Sequence, residues 1–141
     1  MKMKWIPVIF LFSFFFFAGS SAIAAGPAAS DEGFSRFFND FQKAVGSGDK
    51  EKVASTIDFA NFTWEETEAL QKVKSKEAFL KNYDKMFTAT IKKQIAAGKP
   101  TKVDDNSYFI NWHTKTNEYS LDFTRKQGED FKFLGLTIGP Y

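Results

Sequence analysis

Apolar positions change their spacing twice along this chain, and each change predicts a different element. From Asp31 to Val45, Phe34, Phe37, Phe38, Phe41 and Val45 recur at three- and four-residue steps, which predicts one amphipathic helix. Gly46-Ser47-Gly48 ends it, and Asp49 to Ile57 predicts a short second helix with Val53 and Ile57 inward. From Asp58 to Trp64 the alternation is weak. A strand followed by irregular chain is expected there, although Thr63 and Glu66 also fit a capping box opening a helix from Trp64 to Val73. Ser75 caps a clearer helix from Lys76 to about Phe87, with Phe79, Leu80, Tyr83, Met86 and Phe87 inward. A continuation capped by Thr88 or Thr90 carries Ile91 and Ile95 and stops at Gly98 and Pro100.

Beyond Ser107 the period falls to two, the signature of strands. Tyr108, Ile110 and Trp112 share one face of a strand running to His113. Tyr119, Leu121 and Phe123 share one face of the next, with Ser120, Asp122 and Thr124 opposite. Thr114 to Asn117 and Arg125 to Glu129 are the turns, the second with Gly128 free to take a positive φ. Phe131 to Ile138 reads as a third strand that is apolar on both faces. Phe131 and Phe133 fall on one side and Leu134, Leu136 and Ile138 on the other, with Gly135 marking a bend or bulge.

The N-terminus follows another logic. Lys2 and Lys4 precede an apolar run from Trp5 to Ala18, and Ala22-Ile23-Ala24 offers small residues for cleavage. This order predicts a signal peptide over residues 1–24, a flexible linker over 25–33 and a domain over 34–141. The run is shorter than the roughly 20 residues of a membrane span, so no stable span is expected in the mature chain. Export to the periplasm or beyond the cell is the expectation. With no cysteine in the chain, the exported domain must hold together by packing alone. Removing Lys2 and Lys4 takes the 19 basic residues to 17, equal to the 17 acidic ones. A neutral balance argues against nucleic acid as a partner.

Candidate chemistry is sparse. His113 is the single histidine, and without cysteine a metal site is not expected. No phosphate loop, nucleophile elbow or zinc-protease motif occurs, and no cofactor is expected. Asn61-Phe62-Thr63 matches a glycosylation sequon, which matters only in a eukaryotic secretory route. Asp122 sits mid-strand, and alternation turns it away from Leu121 and Phe123, toward water. Tyr83 lies on the apolar side of its helix beside Asp84. Trp64, Tyr83, Tyr108 and Trp112 are the candidates to line a pocket.

The order of elements resembles the NTF2-like, or cystatin-like, superfamily. FSRFFNDFQKAVGSGDKEKVASTI is similar to its opening helical hairpin, VKSKEAFLKNYDKMF to the third helix of small exported members, and DFKFLGLTIGP to their last strand. The resemblance covers Phe34 to Pro140. It implies an α+β fold with N-terminal helices packed in the concave face of a curved antiparallel sheet. Members include ketosteroid isomerase-like, dehydratase-like and polyketide cyclase-like enzymes and many domains without activity, so fold alone does not assign function. No complete catalytic set can be matched onto this chain.

Three readings result. The preferred one is a non-catalytic exported domain that binds a small apolar ligand or a protein, with a homodimer through the sheet. The second is an isomerase, dehydratase or cyclase using Asp122 or Asp84 with Tyr83 as donor; it requires a carboxylate inside a closed apolar pocket. The third is a small inhibitor or immunity-type protein presenting Asp58 to Trp64 as a protruding aromatic loop.

Overall fold

The computed structural model describes residues 31–141; the expected signal peptide and the linker up to residue 30 lie outside the described residues. Four helices come first or intervene: α1 (Glu32–Ser47), α2 (Lys50–Ser55), α3 (Lys76–Met86) and α4 (Ala89–Ala97). Residues 32 and 33 belong to α1, as the helix expected from Asp31 requires, and not to the linker expected over 25–33. Each helix begins on an acceptor side chain that takes up an otherwise free N–H. Asp31 accepts from Gly33, Asp49 from Lys52, Ser75 from Ala78 and Thr88 from Ile91. Gly48 closes α1 with φ of 71°, a left-handed conformation that costs glycine little.

Six strands, β1 (Thr63–Glu66), β2 (Ala69–Gln71), β3 (Thr101–Asp104), β4 (Ser107–His113), β5 (Asn117–Thr124) and β6 (Lys132–Pro140), form one sheet in the order β2-β1-β6-β5-β4-β3. The expected meander is present as β4-β5-β6, paired antiparallel throughout. The helices pack on one face of a curved, unclosed sheet, the α+β arrangement that the resemblance implies. One pairing departs from a purely antiparallel sheet, since β1 runs parallel to β6.

The stretch expected as a strand over 58–64 and then irregular chain is instead a turn followed by the β1–β2 hairpin. Thr63 and Glu66 sit in β1 and cap no helix. The parallel ladder with residues 135–138 of β6 supplies the backbone partners, and Trp64 fills the core at 5% exposure. Thr67 and Glu68 form the two-residue turn with φ of 52° and 63°. Strand β3 was not foreseen; it is four residues long and mostly exposed, so no apolar period marks it.

The last strand is not apolar on both faces. Register shifts between Asp122 and Phe123, where Phe133 pairs with Phe123 and Gly135 with Asp122. Leu134 is the extra residue. This β-bulge changes the phase, so Phe131, Phe133, Leu136 and Ile138 all turn to the helix side, and Leu134 stays opposite. Gly135 is needed where β1 passes, because a Cβ there would lie 2.8 Å from the Thr63 carbonyl oxygen.

Alpha1 lies across this inner face. Phe34, Phe38 and Phe41 are buried and Phe37 half-buried, and Phe34, Phe38 and Phe41 all meet Phe123 edge-on at 5.3–5.9 Å. Each buried phenylalanine stabilises the fold by about 1.5–3 kcal/mol before entropy is charged. With no disulfide available, this aromatic cluster holds the sheet to the helices.

Candidate functional site

Three rows of side chains cross the inner face of the sheet. Tyr108, Phe123 and Phe133 form the first, under the start of α1. Ile110, Leu121, Leu136 and Trp64 form the second. Trp112, Tyr119, Ile138 and Glu66 form the third, at the far end. The first two rows are buried. In the third, Trp112, Tyr119 and Ile138 are only partly covered. Trp112 stacks on Tyr119 with centroids 4.9 Å apart and planes 4° from parallel.

The four pocket candidates divide. Tyr108 is structural: its ring lies under Phe34, and its hydroxyl accepts from the Asp31 backbone N–H at 3.0 Å. Asp31 also pairs with Arg125 at 2.5 Å, and the guanidinium sits over the Phe131 ring at 4.5 Å. The Gly33 N–H and then Arg125 hold the Asp31 carboxyl below its usual range. The other three candidates share a different property. Trp64 Nε1, Trp112 Nε1 and the Tyr83 hydroxyl are buried and meet no hydrogen-bond partner. Natural structures seldom leave such groups unpaired, and each calls for an explanation.

Tyr83 is fully buried in α3, stacked on Phe87 at 4.6 Å, with the ammonium groups of Lys50 and Lys92 over its ring at 5.2 and 5.7 Å. Burial, then the charges of Asp84 and Asp49, push its hydroxyl pKa up. Asp84 shifts the other way. Its side chain is 77% exposed and pairs with Lys50 at 2.8 Å, a contact that lowers its pKa. Asp84 and Tyr83 share Lys50, which pairs with Asp84 and lies over the Tyr83 ring, but the Tyr83 hydroxyl meets no hydrogen-bond partner, so the two form no acid–base pair.

Asp122 lies on the outer face, opposite the helices, with Phe109 of β4 as its cross-strand partner. It is half-buried and accepts from the Ser120 hydroxyl at 3.2 Å; burial raises its pKa, partly offset by that bond. The sheet thus separates Asp122 from Tyr83, and the enzyme set of Asp122 or Asp84 with Tyr83 is not assembled. His113 is exposed at a strand end and stacks on Tyr141 at 4.3 Å. The segment from Asp58 to Trp64 does not protrude, because Phe62 is 1% exposed, Trp64 is 5% exposed and Phe59 packs against the core.

Three open surface grooves of about 300–410 Å³ run along the molecule, two beside α1 and one along the outer face by Leu134. None is lined by Asp122, Tyr83, Asp84, Trp64, Tyr108 or Trp112. Among the described residues, no group of three or more His, Cys, Asp or Glu could hold a metal ion, and no helix is long and apolar enough to cross a membrane.

Sequence reasoning missed three members of the far row. Alternation did place Tyr119 inward, but as core. Alternation alone sends Ile138 to the side of Leu134, and the bulge at Leu134 brings it inward. Glu66 falls where irregular chain is expected, with a capping box as the alternative, and only its parallel partner Ile138 reveals its place.

Neither a protein-family model nor a curated protein matches this chain. Among solved structures, a "putative ketosteroid isomerase" from Shewanella frigidimarina is similar, with a TM-score of 0.43 and 12% identity over 78% of this chain and 97% of that one. No chemistry follows from a likeness at that level.

Proposed function

We propose that this protein is a non-catalytic binding module for a small, largely apolar molecule that carries hydrogen-bond acceptors. The observation that supports it is the pair of buried indole N–H groups, Trp64 Nε1 and Trp112 Nε1, with no acceptor in reach. An unmade bond on a buried donor costs roughly 1–3 kcal/mol. A ligand carbonyl or hydroxyl would recover that energy, and the partly covered Trp112, Tyr119 and Ile138 give its apolar body a surface. Asp122 and Asp84, the carboxylates an isomerase, dehydratase or cyclase would need, stand on the outer face and in solvent. The enzyme reading therefore ranks second.

The module acts outside the cytoplasm, in the periplasm or beyond, if its N-terminal residues serve as the cleaved leader their order suggests. A homodimer through the outer sheet face belongs to the same reading. Phe109 and Leu134 are half-buried on that face, and the helices cover the other one.

Titrating the purified protein with a panel of ring ketones and ring alcohols, followed by tryptophan fluorescence and by chromatography of the compounds, tests this reading. Saturable quenching with every compound recovered unchanged is the expected result. Turnover of a ring ketone would replace it with the enzyme reading.

A further inference from the structure

We infer that the molecule taken at the far end of the inner face is an organic cation: an amine or ammonium group on an apolar body. This rests on the binding reading above and adds the sign of the ligand's charge.

Three observations carry it. First, the far row runs Trp112, Tyr119, Ile138, Glu66 across four neighbouring strands, so an aromatic and aliphatic ledge ends in a carboxylate. Three strand spacings put its ends about 14 Å apart in a flat sheet, the scale of a small amphiphile. Second, Glu66 and Glu68 in the adjoining turn place two exposed carboxylates at that end, and neither has an ion pair among the described residues. The turn does not hang free, because the Thr67 N–H donates to the Ile138 carbonyl at 2.8 Å and ties the acidic tip to the ledge. Third, Trp64 lies two residues before Glu66 on the same face of β1, 5% exposed, with its indole N–H unpartnered. A ledge carboxylate, a stacked Trp–Tyr pair and a nearby unused donor suit a molecule with a cationic end and an acceptor along its body. Aromatic faces attract such cations as well.

The test compares three probes with one body, 4-phenylbutylamine, 4-phenylbutanol and 4-phenylbutyrate, by calorimetry on the full mature chain. The amine should bind about five- to tenfold more tightly than the alcohol, and the carboxylate most weakly. Added salt should shrink the gap. The double substitution Glu66→Gln and Glu68→Gln should remove the preference for the amine while leaving alcohol binding in place. Glu65→Gln, on the opposite face of β1, should leave the preference unchanged. Equal binding of amine and alcohol, or tighter binding of the carboxylate, overturns the inference and leaves the binding reading standing. Failure of all three probes to bind overturns both.

Discussion

The rings of Phe34 and Tyr108 lie face to face, 3.6 Å between centroids and 2° between planes, while the Tyr108 hydroxyl accepts a hydrogen bond from the Asp31 backbone N–H. One tyrosine thus fixes both the packing and the starting point of α1 on β4. Tyr108→Phe should keep the stack and lose the bond, lowering stability by about 1 kcal/mol. Tyr108→Ala should cost about 3–5 kcal/mol. Urea unfolding followed by circular dichroism measures both.

Gly135 is where β1 runs beside β6, and no side chain fits between it and Thr63. Gly135→Ala should destabilise the protein by about 1–3 kcal/mol through displaced backbone. Hydrogen exchange should locate the loss. Amides of β1 and β2 should exchange faster, while those of β4 and β5 keep their protection.

Asp122 makes stability fall as pH rises. Its folded pKa is raised, chiefly by burial, above the 3.8 of the free side chain. The folded state therefore holds this proton more tightly than the unfolded one. The favourable contribution is fully present below pH 3.8 and is lost as pH climbs through the folded pKa. Asp122→Asn, which keeps an acceptor for Ser120, should stabilise the protein at neutral pH by less than about 1 kcal/mol, since the group is partly screened by water. The gain should vanish near pH 4 and below. Asp31 has the opposite sign: its lowered pKa favours folding above 3.8, and that contribution fades as pH falls through the folded value. Thermal unfolding from pH 3 to 8 separates the two.

Tyr83 buries a hydroxyl that bonds to nothing in the described structure. Tyr83→Phe should leave stability unchanged or raise it by up to about 1 kcal/mol, because a desolvated and unpaired group is removed. A loss beyond 1 kcal/mol on urea unfolding would mean that the hydroxyl has a partner after all.

Local patterns foretold much of this fold. Strict alternation in β5 turned Leu121 and Phe123 inward and Asp122 outward, and the three-four spacing of phenylalanines set the buried side of α1. Ser75 and Thr88 cap their helices, and Gly128 takes its turn at φ 81°. What stayed hidden depends on distant partners. Beta1 is a strand because of β6, some 70 residues later, and no spacing rule inside residues 58–74 reports that. Its turn gives no help either, since Thr67 and Glu68 take positive φ where glycine or asparagine is the usual signal. Leu134 adds one residue to β6, and a single insertion sends every later side chain to the other face. For the same reason the candidate site was half legible. Trp64, Tyr83 and Trp112 stood out as large polar-tipped aromatics. That Trp64 shares a face with Glu66, Ile138 and Tyr119 emerges only once the strands are paired.

The binding reading requires that the buried indole N–H groups of Trp64 and Trp112 meet an acceptor on the ligand. A proton–nitrogen correlation spectrum of the labelled protein, with the Trp64 and Trp112 indole N–H signals assigned by Trp64→Phe and Trp112→Phe, reads this out. Adding a ring ketone at saturating concentration should move one or both strongly downfield, as a new hydrogen bond forms, and leave the outer-face amides around Asp122 in place. Indole signals that stay still while the outer-face amides move would mean that the ligand lies on the other face and gives the indoles no acceptor.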